Sequence, residues 1–281
     1  MILTKYTVAI EVTKPSAYAF NRIVDLSKWW VEDFVGEKLK PGSEFILKTG
    51  EGHYSKNKVM VLVPAKKFAW VTTESKRNTD NFDWTGTKMI FELMPKGNCT
   101  LIQFTYDGVV LEKEQEKLKE ICDYCIKDLL YNYLESFDAT IEIEKSPREV
   151  FKIITDDVSK WWGGKDLSGR TTKLNDEFIV HHQGAHYSKQ KLIEIIPEKK
   201  VVWQVTEGTL YWLKKDKQEW TNTKMIFEIS VKNGKTVLHF THEGLVPEKE
   251  CYEACQQGWT MVITDWLYHY ITKGKVNQRF L

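Results

Sequence analysis

Histidine is the residue type in this chain best suited to chemistry. Six of the seven histidines lie in the second half: His181, His182, His186, His239, His242 and His269. A neutral imidazole can ligate a metal, and an imidazole that titrates near neutral pH can act as an acid or a base. No carboxylate or cysteine spacing completes a familiar metal pattern around them, so we expect unliganded histidines and no metal site.

His242 stands at the end of a predicted strand and is followed directly by Glu243. Successive strand residues point to opposite faces of a sheet, so Glu243 is poorly placed to orient the imidazole for acid–base catalysis. We expect His242 to contact the polar end of a ligand at the edge of a cavity, with Tyr106 in that role in the first half. No catalytic residue is assigned, and an enzyme of the cyclase, dehydratase or hydrolase type remains an alternative.

The five cysteines form neither a disulfide framework nor a redox site. Their number is odd and the two halves place them differently, which is typical of a protein in the reducing cytoplasm. Cys122 and Cys125 have C-x-x-C spacing but lie inside a predicted helix, where the helix N-terminus cannot stabilise a thiolate. Cys251 and Cys255, one helical turn apart, are interpreted as small core residues.

Aromatic residues on the predicted strands and the last helix are candidates for binding a ligand. Eleven tryptophans in 281 residues is a heavy use of a large flat side chain, and pockets for apolar molecules are lined by such groups with a few polar ones. A densely packed core is the alternative for each of them. The candidate ligand-binding residues are Trp203, Phe227, Phe240, His242, Trp259, Val262, Trp266 and His186 in the second half, and Trp70, Phe91, Phe104 and Tyr106 in the first.

Three sequence words occur twice, in the same order. They are SKWW at 27–30 and 159–162, HYSKNK at 53–58 returning as HYSKQK at 186–191, and WTGTKMIFE at 84–92 returning as WTNTKMIFE at 220–228. A spacing of about half the chain is far longer than the ~20–50 residues of a solenoid repeat. We therefore predict two domains of one fold, 1–137 and 138–281.

A tryptophan pair, Trp29-Trp30 or Trp161-Trp162, follows the first predicted helix of each half. Adjacent residues share a face neither in a strand nor in a helix. We therefore expect one indole of each pair to fill the core and the other to lie near the mouth of a cavity.

The predicted elements follow one order in both halves. An alternating strand comes first, and in the second half a helix follows, with Ser146 as N-cap and Glu149 placed for a capping box. A run of strands separated by short turns comes next. A long helix closes each half, over Glu112–Ser136 and Glu248–Thr272. The expected fold is α+β, with a curved antiparallel sheet wrapped on one long C-terminal helix in each of two tandem domains.

The second closing helix is expected to present one apolar stripe at helical spacing. The stripe comprises Trp259, Val262, Ile263, Trp266 and Tyr270. Gly258 beside Trp259 is expected to shape the mouth of a pocket, whereas Ile121 and Cys122 occupy that place in the first half. We therefore favour the second half as the ligand-binding domain.

These words and elements resemble the START-like (SRPBCC) superfamily with its helix-grip fold, and within it the family named for the activator of heat-shock protein 90 ATPase. The second half carries the resemblance best, through SPREVFKIITD, SKWW, the TKMIFEI strand, and THEGL followed by GW at 258–259. The first half departs at its end, where TYDG stands for THEG and ICDYC replaces the GW pair. The resemblance covers nearly the whole chain.

The resemblance implies an apolar cavity between the sheet and the closing helix. Many members use that cavity to bind a hydrophobic small molecule, and a minority catalyse reactions there. A chaperone partner is a weaker alternative, because the eukaryotic activator has a separate chaperone-binding domain and we expect none before residue 8. The leading prediction is therefore binding of a small hydrophobic molecule of unknown identity, without a cofactor.

Charge and hydropathy exclude two kinds of partner. The chain has 40 Lys and Arg against 39 Asp and Glu, divided as 19 against 19 in the first half and 21 against 20 in the second. This balance lacks the positive excess that nucleic acid binding usually requires. No apolar run approaches the roughly 18 residues of a membrane span, and no basic segment precedes an apolar stretch at the start. We expect a cytoplasmic protein without a membrane or nucleic acid partner.

Overall fold

The chain divides after Glu135 into two compact units, called unit 1 and unit 2. In each unit, seven antiparallel strands form one sheet and a long helix ends the unit. The computed structural model describes residues 2–31, 33–37, 39–49, 52–77 and 83–276. The predicted α+β class, with tandem helix-grip domains, is confirmed.

In unit 1, the first strand lies beside the last and the remaining strands follow as a meander, in the order β1-β7-β6-β5-β4-β3-β2. The strands are β1 (Ile2–Val12), β2 (Asp33–Gly36), β3 (Glu44–Thr49), β4 (His53–Val63), β5 (Lys67–Arg77), β6 (Lys88–Lys96) and β7 (Cys99–Val110). The helical segments are α1 (Ser16–Ile23), 3-10 turns at Leu26–Lys28 and Glu112–Glu114, and a closing helix made of α2 (Gln115–Asp123), a π-helical segment (Tyr124–Leu130) and α3 (Tyr131–Glu135).

Unit 2 repeats this order, with its sheet running β8-β14-β13-β12-β11-β10-β9. The strands are β8 (Phe137–Ile143), β9 (Leu167–Gly169), β10 (Glu177–His182), β11 (His186–Ile196), β12 (Lys200–Leu210), β13 (Lys224–Lys232) and β14 (Lys235–Glu243). The helical segments are α4 (Pro147–Asp156), α5 (Val158–Trp161), a 3-10 turn at Gly164–Asp166, and a closing helix made of α6 (Tyr252–Met261), a π-helical segment (Val262–Leu267) and α7 (Tyr268–Lys273). Within the described residues, no helix combines the length and apolar character needed to cross a membrane.

The predicted capping box at the start of α4 is confirmed. The Glu149 backbone N–H donates to Ser146 Oγ at 3.3 Å, and the Ser146 backbone N–H donates to Glu149 Oε2 at 2.9 Å. These bonds satisfy donors that the first turn of a helix leaves unpaired. Together with the Ser146 hydroxyl and Lys145, they lower the pKa of the Glu149 carboxyl to about 2.

Both sheets bend at corresponding places. The strand pairs β4–β5 and β11–β12 each contain two register shifts, where one strand carries an extra residue. Such irregularities bend a strand and increase its twist. They lie between Lys56 and Asn57, Val59 and Val61, Lys189 and Gln190, and Leu192 and Glu194.

Alternate residues of the central strands lie on one face of each sheet, and their side chains are buried. The residues are Trp203, Val205, Met225, Phe227, Ile229, Leu238, Phe240 and His242 in unit 2, and Trp70, Thr72, Met89, Phe91, Leu93, Ile102, Phe104 and Tyr106 in unit 1. In each unit the apolar members belong to one core that also contains the buried side of the closing helix.

The second closing helix differs from its prediction in two respects. It begins at Tyr252 rather than at Glu248. Its π-helical segment also has more residues per turn than an α-helix, which rotates the following residues about the axis. The buried positions after this segment are Leu267 and Ile271, which the predicted stripe left out, whereas Trp266 and Tyr270 are half-buried against the same core.

Candidate functional site

A cluster of aromatic and imidazole rings, called the aromatic cluster, lies between the unit 2 sheet and its closing helix. Its members come from α5 and the residue after it, from strands β10 to β14, from the loop before β13, and from α6. Every member except His186, which is half-buried, is less than a tenth exposed. The aromatic cluster comprises Trp161, Trp162, Phe178, His186, Trp203, Trp220, Phe227, Phe240, His242 and Trp259.

Trp259 connects the closing helix to the rest of the aromatic cluster. Its ring centroid lies 4.8 Å from that of Phe240, 5.2 Å from Trp162 and 5.7 Å from His242. The Trp220 ring, which precedes β13, lies 6.0 Å away and nearly parallel. Ring pairs at such separations stabilise a core by about 0.5–1.5 kcal/mol each beyond the burial of their area.

Both indoles of the Trp161-Trp162 pair are buried, so the prediction that one of them lies at a cavity mouth is wrong for unit 2. The physical reason is that α5 ends at Trp161 and Trp162 is already extended, with φ −140° and ψ 137°. The change of backbone conformation lets neighbouring side chains enter the same core. Trp161 fills the core as predicted, and its Nε1 donates to the Ile153 carbonyl at 3.2 Å. In unit 1, Trp29 is buried and Trp30 half-buried.

His242 is fully buried, whereas the sequence predicted a position at the edge of a cavity. The Thr223 hydroxyl has a single proton, which it donates to the Trp220 carbonyl at 2.6 Å. The same hydroxyl oxygen lies 2.9 Å from His242 Nε2, so it must accept a hydrogen bond from that nitrogen. Burial, with a contribution from the positive charge of Lys249, lowers the pKa of His242 to about 3. The imidazole is therefore neutral, and its Nδ1 is an unprotonated acceptor.

His186 lies at the other side of the aromatic cluster. Its ring stacks on Trp162 at 6.4 Å with an interplanar angle of 11°, and it lies 5.2 Å from Trp220. Burial lowers the pKa of His186 to about 4, helped by the positive charges of His182 and His181. His186 is therefore also neutral near pH 7.

Four buried polar atoms of the aromatic cluster have no hydrogen-bond partner. They are Trp203 Nε1, Trp259 Nε1, His186 Nε2 and His242 Nδ1, whereas Trp220 Nε1 hydrogen-bonds the Cys255 sulfur. A buried polar group without a partner costs about 1–3 kcal/mol, and native cores contain few of them. Four unpaired atoms in one cluster of rings are therefore a feature that packing alone does not explain.

Gly258 precedes Trp259 on α6, and a methyl group added at its Cα would meet no atom within 4 Å. A glycine inside a helix costs about 1 kcal/mol relative to alanine. Among the described residues, none comes close enough to Gly258 to require the absence of a side chain there. The corresponding residue of unit 1, Ile121, is half-buried against the core.

The corresponding region of unit 1 is arranged differently. Trp30 packs on three of the residues predicted there, with centroids 5.5 Å from Trp70, 6.3 Å from Phe91 and 6.0 Å from Phe104. The Tyr106 hydroxyl, at the position of His242, accepts a hydrogen bond from Thr87 at 3.3 Å. The helix has Cys122 where unit 2 has Trp259, and it is Trp30 that contacts Phe104, the counterpart of the Phe240 ring that Trp259 contacts.

The structure brings most of the predicted unit 2 residues together. Trp203, Phe227, Phe240, His242, Trp259 and His186 belong to the aromatic cluster, and Val262 is buried in the same core. Trp266 is only half-buried because the π-helical segment turns it aside. Four ring residues of the cluster were not among the predicted ligand-binding residues: Trp161, Trp162, Phe178 and Trp220. The repeated segments SKWW and WTNTKMIFE contain three of them, but their contacts depend on how loops return to the sheet.

The remaining chemistry-bearing groups do not gather into a second centre. Burial raises the pKa of the Cys122 thiol above its ordinary value, which is opposite to what a reactive cysteine needs. Among the described residues, no three His, Cys, Asp or Glu side chains are placed to hold one metal ion. His182 Nδ1 lies 2.9 Å from Asp166 Oδ2 at the end of β10.

The fold of the two units identifies the class of protein. Each unit grips one long helix with a curved antiparallel sheet, so the chain is a tandem helix-grip protein, with the fold of the START-like (SRPBCC) superfamily. Residues 144–272, all within unit 2, match the family described as activator of Hsp90 ATPase homolog 1-like protein. The half that was predicted to carry the resemblance best is the half that matches.

Solved structures with similar folds include single-domain and two-domain proteins. The Aha1 dimer from Colwellia psychrerythraea aligns with a TM-score of 0.41 and 23% identity, over 50% of this chain and 98% of that chain. The di-domain ARO/CYC StfQ from the steffimycin biosynthetic pathway aligns with a TM-score of 0.42 and 11% identity, over 98% of this chain and 99% of that chain. None of the curated proteins compared with the chain matches it.

Proposed function

We propose that unit 2 binds a small hydrophobic molecule within the aromatic cluster. The observation that carries this proposal is the set of four unpaired polar atoms among buried rings. Pockets for small molecules combine apolar and aromatic walls with a few converging polar groups. A ligand that offers hydrogen bonds to Trp259, Trp203 or the two histidines would offset the cost of burying them.

Gly258 marks the entrance in this proposal. It lies next to Trp259 on the helix, and the space beside its Cα is open. A ligand that enters there meets the Trp259 indole first, and the indole must turn to admit it. In unit 1, Ile121 stands at this position and Trp30 packs inside, which supports assigning the function to unit 2.

The first experiment is native mass spectrometry of the full chain in the form in which it is isolated, before and after organic extraction. A neutral fluorescent probe, N-phenyl-1-naphthylamine, is then titrated into the extracted protein. We expect its fluorescence to rise and to be excited by energy transfer from tryptophan. Gly258→Ile, which copies the unit 1 residue, should weaken or slow probe binding several-fold.

The matched control is Ile121→Val, a small change at the corresponding position of unit 1. Its probe binding should equal that of the natural sequence. If Gly258→Ile and Ile121→Val both leave probe binding unchanged, the site is not at this helix. If no mass is retained and no probe binds, the chain is not a carrier of hydrophobic molecules.

Stimulation of an Hsp90 ATPase is a second candidate function. The family matched by residues 144–272 is the observation that favours it. The test is the steady-state ATPase rate of purified Hsp90 with increasing amounts of the full chain. This candidate is removed if the ATPase rate is unchanged at a saturating concentration of the chain and the two proteins form no complex in the same mixture.

A further inference from the structure

The hydrogen-bond pattern around His242 determines which groups a ligand can present to it. Thr223 gives its only proton to the Trp220 carbonyl and accepts from His242 Nε2. His242 Nδ1 is left as a buried acceptor without a partner. Only a ligand that carries an O–H or N–H group can satisfy it.

A second buried polar atom without a partner belongs to a ring that contacts His242. The Trp259 ring is perpendicular to that of His242, with centroids 5.7 Å apart, and its Nε1–H also has no partner. A hydroxyl group can donate one hydrogen bond and accept another at the same oxygen. A carboxylate can only accept, so it would leave the His242 acceptor unpaired.

The surroundings of His242 are mostly uncharged. Met225 and Phe137 are its neighbours on the adjacent strands, and Trp220 and Trp259 contact its ring. Among the described residues, the charged group that acts on it is Lys249, which is half-buried in the turn before α6. Burial of an ionised carboxylate among neutral rings is costly unless a cation pairs with it, so an anion would need Lys249 as its partner.

We propose that the aromatic cluster selects uncharged ligands that bear a hydroxyl or N–H group, with His242 Nδ1 as the acceptor and Trp259 Nε1 as the donor that recognise it. This inference rests on the proposed function of unit 2. It adds the chemical class of the ligand and assigns His242 as the residue that determines specificity. Thr223 is the positioning residue that keeps Nδ1 unprotonated.

The test compares four ligands of one skeleton on the full chain by displacement of N-phenyl-1-naphthylamine near neutral pH. They are naphthalene, 2-naphthol, 2-methoxynaphthalene and 2-naphthoate. We expect 2-naphthol to bind about tenfold more tightly than naphthalene, the size of one additional buried hydrogen bond. The methoxy compound keeps the oxygen but lacks the donor and should lose this advantage, and 2-naphthoate should bind most weakly.

His242→Phe provides the protein side of the comparison. It should abolish the preference for 2-naphthol over naphthalene, since the acceptor of the hydrogen bond is removed, and the ratio of the two affinities is the readout. The ligand series on the natural sequence remains decisive if this variant does not fold. Equal affinity for naphthalene and 2-naphthol, or tight binding of 2-naphthoate through Lys249, would overturn the inference while leaving the carrier function intact. Failure of all four ligands to bind would instead contradict the carrier function itself.

Discussion

Thr223 fixes the proton position of His242 with a single hydroxyl group. The hydroxyl donates to the Trp220 carbonyl at 2.6 Å and accepts from His242 Nε2 at 2.9 Å. A residue directly before β13 therefore determines that the Nδ1 atom of the buried imidazole carries a lone pair rather than a proton. In unit 1 the corresponding bond joins Thr87 to the Tyr106 hydroxyl.

Replacement of this hydroxyl should have a measurable effect on both stability and tautomer. Thr223→Val removes the acceptor of the His242 Nε2–H group and leaves a buried donor unpaired. We expect the free energy of unfolding to fall by about 1–3 kcal/mol. We also expect the ¹⁵N shifts of the His242 ring in NMR spectra to lose the pattern of a single Nε2–H tautomer.

Thr223→Ser is the matched control, because it keeps the hydroxyl and removes only a methyl group. It should preserve the Nε2–H tautomer of His242 in the same spectra. A Thr223→Val protein in which the tautomer is also unchanged would mean that another group fixes it.

Unit 2 should lose stability in mild acid. The pKa values of His242 and His186 are about 3 and about 4 in the folded chain, below the ordinary value of 6.5. Below pH ~6.5 the unfolded chain therefore binds protons that the folded chain does not. The stabilising effect is complete above that pH and is lost as the pH falls through the folded values, with a limiting slope of about 1.4 kcal/mol per pH unit for each histidine.

Urea unfolding at several pH values between about 7 and about 5 measures this slope. His242→Phe should reduce it by about one proton. Ile229→Val, a mild change elsewhere in the same core, should lower stability by about 0.5–1.5 kcal/mol without changing the slope. An unchanged slope in His242→Phe would show that this imidazole is protonated in the folded chain.

Two glycines of unit 2 should respond in opposite directions to alanine. A Cβ at Gly258 meets nothing within 4 Å, whereas a Cβ at Gly208 would lie 2.9 Å from Trp220 Cβ. Gly258→Ala should stabilise the chain by about 0.5–1 kcal/mol, because it improves helix propensity. Gly208→Ala should destabilise it by about 1–3 kcal/mol through overpacking.

Thermal unfolding followed by circular dichroism compares these two variants directly. Gly234→Ala is not a suitable control, because Gly234 has φ +78° and strain would add to the effect. A destabilised Gly258→Ala protein would show that its helix position is not open, and the entrance would then have to lie elsewhere.

The sheet was predictable because its signal is local. Side chains of a strand alternate between faces, so the inward residues from Trp203 to His242 could be assigned from the sequence alone. The repeated sequence segments indicated the duplication, and the Ser146–Glu149 pair indicated the start of α4. The strand pattern and the capping box each depend on residues only a few positions apart, and the duplication is visible as identical segments.

The site was harder to predict because its geometry is not local. The Trp162 ring enters the core only because α5 ends one residue earlier, at Trp161. Trp220 reaches the cluster through a loop whose path follows from long-range pairing. The unpaired atom of His242 depends on the single proton of Thr223, which no pattern in the sequence reveals.

The last prediction concerns the π-helical segment at Val262–Leu267. It places Leu267 in the core and leaves Trp266 half-buried against that core. Leu267→Ala should therefore cost about 2–5 kcal/mol of stability, the range for a fully buried leucine. Trp266→Ala removes a larger side chain but should cost less than Leu267→Ala, because that side chain is partly solvated. Urea unfolding of both variants measures the difference, and a larger loss for Trp266→Ala would mean that the helix keeps regular α-helical winding.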